Sequence, residues 1–133
     1  MKETAGCNCG VGLRMVFACS GAADVGAITD LAARRLQKDR QAAMCCTAAI
    51  AANVTAIVEK ARQAGMVLAI DGCSERCADR ILEDAGFENR RSLMLEDLGM
   101  EKGSSQPTES AVCQVVDQAL AVMSGATGER TDG

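Results

Sequence analysis

Short apolar runs alternate along this chain with stretches in which apolar residues return every three or four positions. The first run is "LRMVFACS", Leu13 to Ser20, closed by Gly21. It reads as a strand. Val25, Ile28, Ala32 and Leu36 then recur at helical spacing, with Arg34, Arg35, Lys38 and Asp39 largely on the other side. "AAMCCTA", Ala42 to Ala48, is a second short run, weaker as a strand because Ala disfavours sheets. Ile50, Val54, Ile57, Val58 and Ala61 form one helical stripe, for which Gly65 is the expected C-cap. "MVLAI", Met66 to Ile70, is apolar throughout, as suits a strand covered on both faces.

The next helix is expected to use Ser74 as N-cap, to turn Ala78, Ile81, Leu82 and Ala85 inward, and to end at Gly86. "RSLML", Arg91 to Leu95, predicts a fourth strand, and Gly99 to Pro107 a loop. Thr108 caps a last helix that buries Val112, Val115, Val116, Ala119, Leu120 and Met123. Residues 1–12 are expected to form a flexible cysteine-containing arm, 13–123 a single α/β domain, and 124–133 a disordered tail.

Strand followed by helix, four times over, implies right-handed crossovers. The expected fold is a small three-layer domain, a parallel sheet of about four strands with helices on both faces, Rossmann-like or flavodoxin-like. Such sheets bind ligands beyond the carboxyl ends of their strands, where the strand order reverses.

Composition narrows the chemistry. The chain has 133 residues, a formal charge of −4, no Trp, no Tyr, no His and two Phe. The core must be aliphatic, with Met and Cys filling gaps. No basic stripe interleaved with aromatics is present, so a nucleic-acid partner is not expected. The uncharged run Ala42–Val58 falls short of the ~18 apolar residues that mark a membrane span. "MKETAGCNCG" lacks the apolar centre of a secretory signal, so a cytoplasmic location is expected.

The eight cysteines carry most of the information. Without an export signal, and with a chain long enough to build a core, thiols are more often ligands, nucleophiles or small core residues than a disulfide framework. With His absent, a metal site has to be built from Cys, Asp, Glu or backbone groups. On the expected fold, Cys19 ends the first strand, Cys45 and Cys46 end the second, Cys73 follows the third, and Cys77 lies in the next helix's first turn. All fall on one edge of the sheet. A helix start favours thiolates, and Gly21 and Gly72 are expected to let backbone amides approach sulfur. Four thiolates from Cys19, Cys46, Cys73 and Cys77 suit tetrahedral Zn²⁺, with Zn–S near ~2.3 Å. Adjacent strand residues point to opposite sides, so one of Cys45 and Cys46 is expected to be core filler. Cys113 reads as filler or as an inert surface thiol. Asp24 and Asp71 lie near the same edge. They could support a metal site or a substrate, or simply fix a helix start and a turn.

At these residues the chain resembles the DGC-domain proteins, small proteins named for a central Asp-Gly-Cys. The resemblance rests on "VFACSGAADVG" (Val16 to Gly26), "MCCTAAIAANV" (Met44 to Val54) and "LAIDGCSERCADRILEDAGF" (Leu68 to Phe87). It implies zinc binding by four cysteines, which fall here on Cys19, Cys46, Cys73 and Cys77. At the second position Cys46 fits the family pattern better than Cys45. The resemblance implies no established reaction, and Cys7 and Cys9 lie outside it as accessory thiols.

Other motifs fail on their own terms. A Cys-x5-Arg phosphate loop needs Arg where Val25 and Asp79 stand. No Walker A lysine follows a Gly-rich loop. "CSERC" is one residue longer than a thioredoxin-type CxxC. Three readings follow: a zinc-binding module, a thiol enzyme or redox protein using Cys73 and Cys77 with Cys7 and Cys9 as possible resolving thiols, and an iron–sulfur site, for which four thiolates serve equally well. A metal ion is the partner expected; no protein partner or substrate can be read from the sequence.

Overall fold

A computed structural model describes residues 13–125. Strand β1 is Arg14–Ala18, helix α1 Asp24–Lys38, strand β2 Ala43–Met44, helices α2 and α3 Thr47–Ala51 and Thr55–Arg62, strand β3 Met66–Asp71, helix α4 Cys77–Asp84, strand β4 Arg90–Met94, and helix α5 Glu109–Ser124. A 3-10 turn, Leu95–Leu98, follows β4. The arm with Cys7 and Cys9, and the tail from residue 126 on, lie outside the described residues.

All four strands are parallel, in the order β2-β1-β3-β4. Register runs from Arg14 opposite Met66 to Ala18 opposite Ile70, and from Val67 opposite Arg90 to Asp71 opposite Met94. Alternation along the strands splits the core in two. Val16, Ala18, Leu68 and Ile70 pack with α1 and α5. Met15, Phe17, Val67 and Ala69 pack with Ile50, Val58, Ala61, Ala78 and Leu82 from α2, α3 and α4. The fold is therefore the expected three-layer α/β domain. From β1 the chain crosses to β2 on one side, and from β3 to β4 on the other. The strand order reverses between β1 and β3.

Three local expectations are corrected. The single second helix is two, broken at Asn53, whose φ of 59° is left-handed. Asn tolerates that conformation better than most residues. Gly65 is not a helix cap: α3 ends at Arg62 with Gln63 as its C-cap, and the Gly65 amide donates to Leu13 O at 2.8 Å. Helix α4 does not start on Ser74. Its N-cap is Arg76, at φ 52°, and its first residue is Cys77. Gly86, at φ 86°, stands one place beyond the C-cap Ala85 and ends α4 as expected. The Thr108 side chain accepts from the Ala111 amide and caps α5.

Candidate functional site

The carboxyl edge is built by backbone pairing that runs past the strands. The Cys19 amide donates to Ile70 O of β3 at 3.0 Å, and the Cys45 amide donates to Val16 O of β1 at 3.0 Å. Both cysteines are thereby held at the sheet's rim. The Thr47 hydroxyl donates to Ala18 O at 2.9 Å and pins the start of α2 to the end of β1.

The turn carrying Cys19 is locked against α1. Thr29, fully buried, donates to Gly26 O at 2.7 Å and accepts from the Ser20 amide at 3.1 Å. Its hydroxyl also lies 3.5 Å from the Cys19 Sγ. Ser20 adopts φ 51°, and its hydroxyl donates to Asp30 Oδ1 at 2.9 Å. A Cβ on Gly26 would stand 2.6 Å from the Gly21 nitrogen, inside contact distance. The turn therefore sits flat on the helix, and Gly26 is the residue that allows it.

The Asp-Gly-Cys stretch has a reason for each residue. Asp71 ends β3, is 1% exposed, and accepts from the Ala78 amide at 2.7 Å and the Asp79 amide at 3.0 Å. It caps α4 from the preceding strand, which is why Ser74 does not. Burial pushes its carboxyl above the ordinary range, and the two amides only partly oppose this. A Cβ on Gly72 would meet Val25 Cγ2 at 2.7 Å. Gly72 thus lets the β3–α4 loop press on α1. At this position, as at Gly26, glycine meets a steric need. Cys73 then opens a tight turn in which the Arg76 amide donates to Cys73 O at 3.0 Å. Arg76 reaches Asp79 Oδ2 at 3.5 Å, and Arg90 donates to Asp79 Oδ1 at 3.0 Å. Asp79, 1% exposed, is a buried charge held by two arginines that sequence reasoning missed. Its signal was the acidic residue two places after Cys77 in a helix's first turn.

The described cysteines are all free thiols. Cys19, Cys45 and Cys73 are half-buried; Cys46 and Cys77 are exposed. Cys46 is the N-cap residue of α2, Cys77 the first residue of α4, and these two helices pack on each other. Cys19 and Cys45 lean on the core that both helices cover. Burial raises the Cys45 thiol above its ordinary value, in keeping with a filler role for the inner member of the doublet. Soft thiolate donors suit zinc chemically. Among the described residues, however, no three Cys, Asp or Glu side chains are gathered as ligands of one ion. The thiols share an edge without closing a shell.

Asp24 serves the fold. Its carboxylate accepts from the amides of Val25, Gly103 and Ser105 at 2.7 to 3.0 Å and clasps the loop before α5 to the start of α1. Those amides hold it below the usual carboxylate range, Gly103 most strongly. Cys113 is an exposed surface thiol beside the Arg35–Glu109 ion pair.

Fold and edge together define a small doubly wound α/β protein with free thiols around its topological switch point. A family profile for the DGC domain matches residues 15–119, and the chain belongs to that family. It is 32% identical over 98 residues to the "Anaerobic and virulence modulator AnvM" of Pseudomonas aeruginosa, a match covering 74% of this chain and 75% of the relative. No solved structure matches it significantly. No helix among the described residues is long and apolar enough to cross a membrane.

Proposed function

We propose that this chain is a metal-binding protein that holds one zinc ion through Cys19, Cys46, Cys73 and Cys77 at the carboxyl edge of its sheet, in the cytoplasm. One observation carries the reading: free thiols stand on three neighbouring loops around the switch point, two of them at the starts of the packed helices α2 and α4. A four-thiolate shell has no open position, which favours a structural, carrier or sensing role over catalysis by the metal. The relative's printed name, a modulator, agrees with a sensing role.

A second reading is a thiol-redox protein. Half-buried Cys73 and exposed Cys77, the latter the first residue of α4, support it, because a helix start favours a reactive thiolate. One experiment separates the two. The protein is purified without oxygen, its metal content is measured, and its absorption spectrum is recorded. With no Trp or Tyr, the near-ultraviolet background is nearly empty. One colourless zinc per chain, lost in each Cys→Ser variant at 19, 46, 73 and 77 and kept in Cys113→Ser, is the expected result. Iron with a brown spectrum would point to a cluster. A metal-free protein that readily forms a Cys73–Cys77 disulfide would leave the redox reading.

A further inference from the structure

Beside the switch point, between the β1 and β2 ends and α1, lies an open cleft of about 520 Å³. Its lining includes Cys19, Cys45 and Cys46 together with Ser20, Asp30 and Arg34. Arg34 is fixed at one end only. Its Nε donates to Asp30 Oδ2 at 2.7 Å, and Asp30 is held in turn by Ser20. The two terminal nitrogens of the guanidinium have no partner among the described residues, and the side chain is 66% exposed. A guanidinium held through Nε presents its free nitrogens as a fork matched to a carboxylate. The same lining offers sulfur, and of its three thiols Cys46 alone is exposed. The cleft therefore pairs a carboxylate reader with an accessible thiol.

We infer that this cleft binds a small carboxylate-bearing disulfide, with its carboxylate on Arg34 and its sulfur at Cys46, and that Cys46 exchanges with it. The Cys46 thiol loses its proton to solvent and its sulfur attacks one ligand sulfur. A new sulfur–sulfur bond forms at Cys46 as the ligand's own breaks. The departing half leaves as a thiolate and takes up a proton. The ligand disulfide is the oxidant; Cys46 ends as a mixed disulfide and one small thiol is released. The exchange does not depend on zinc. If Cys46 is also a zinc ligand, metal and adduct exclude one another, and that coupling alone rests on the proposed function.

The test uses the full chain, reduced, stripped of metal with a chelator, and kept without oxygen. Two probes are compared, dithiodipropionate, which carries carboxylates, and the neutral bis(hydroxyethyl) disulfide. Adducts are mapped by mass spectrometry over time. Cys46 should be labelled first by the carboxylate probe. In Arg34→Gln the rate ratio of charged to neutral probe should fall about tenfold, the worth of a charged fork, with the neutral rate little changed. Cys113→Ser should behave as wild type. First labelling at Cys73, Cys77 or Cys113, or a rate ratio at Cys46 unmoved by Arg34→Gln, would overturn the inference. Because the sample holds no metal, failure here leaves the zinc reading standing, and absence of zinc leaves this one standing.

Discussion

Gly21 and Gly26 look interchangeable in the sequence, five residues apart around one turn. Their surroundings differ. A Cβ at Gly21 meets nothing within 4 Å, while one at Gly26 runs into the Gly21 backbone. Backbone cannot swing aside as a side chain can. Gly26→Ala should cost about 2 kcal/mol despite Ala's better helix propensity, and Gly21→Ala less than about 0.5 kcal/mol. Urea unfolding of the two variants checks this. Asp71 gives a sharper case. Removing it in Asp71→Ala strands the buried amides of Ala78 and Asp79, at about 2 kcal/mol. Its raised carboxyl also has a pH signature. The folded chain binds this proton more tightly than the unfolded one. The group's contribution is therefore full at low pH and falls as pH rises from about 4 through the raised folded value. That part of the stability slope should vanish in Asp71→Ala. The sequence allowed Asp71 a turn-fixing role, but not this capping one. The sequence places an Asp before a Gly and a Ser before a helix, and Ser is an ordinary cap; only the fold shows that the strand's own carboxylate already reaches the helix amides.

Between elements, side chains decide where loops lie. Helical periodicity announced α1 and α5 well, because each buries one long stripe against the sheet. It ran α2 and α3 together, because Ile50, Val58 and Ala61 keep an apolar rhythm across the break at Asn53. A left-handed residue leaves no mark on hydrophobic spacing. The loop from Gly99 to Pro107 was legible as a loop, but its position was not. Asp24 sets it, through the Gly103 and Ser105 amides. Those bonds depress the Asp24 carboxyl, so its contribution is present above the ordinary carboxylate range and is lost as pH falls through the lowered folded value. Amide-exchange protection factors at Gly103 and Ser105 should hold at neutral pH and drop in strong acid. In Asp24→Asn they should be low throughout, while those of the central strand β3 stay unchanged. Equal loss in β3 would mean global unfolding, not release of the clasp.

At the scale of the molecule, four parallel strands were readable because strands buried on both faces leave continuous apolar runs. Their order was not, since periodicity carries no record of which way each crossover turns. The order β2-β1-β3-β4 brings Cys19 and Cys73 to the reversal between β1 and β3 and leaves Cys45 and Cys46 beyond β1. Zinc, if bound, must therefore tie together loops from three strands of the sheet. Ligation that exists only in the folded chain adds stability by mass action, about 2.7 kcal/mol at a hundredfold excess over Kd. Under reducing conditions wild type should gain several degrees in Tm on adding zinc, and the Ser variants at 19, 73 and 77 should gain none. The cysteine doublet is the informative pair. Cys45 is half-buried against the core and Cys46 is exposed. Cys45→Ser should lower Tm without metal yet keep the zinc increment. Cys46→Ser should leave the metal-free Tm almost unchanged and lose the increment. The reverse pattern would assign the ligand to Cys45, and a wild type indifferent to zinc would remove the metal from the account and leave the thiols themselves as the reactive groups.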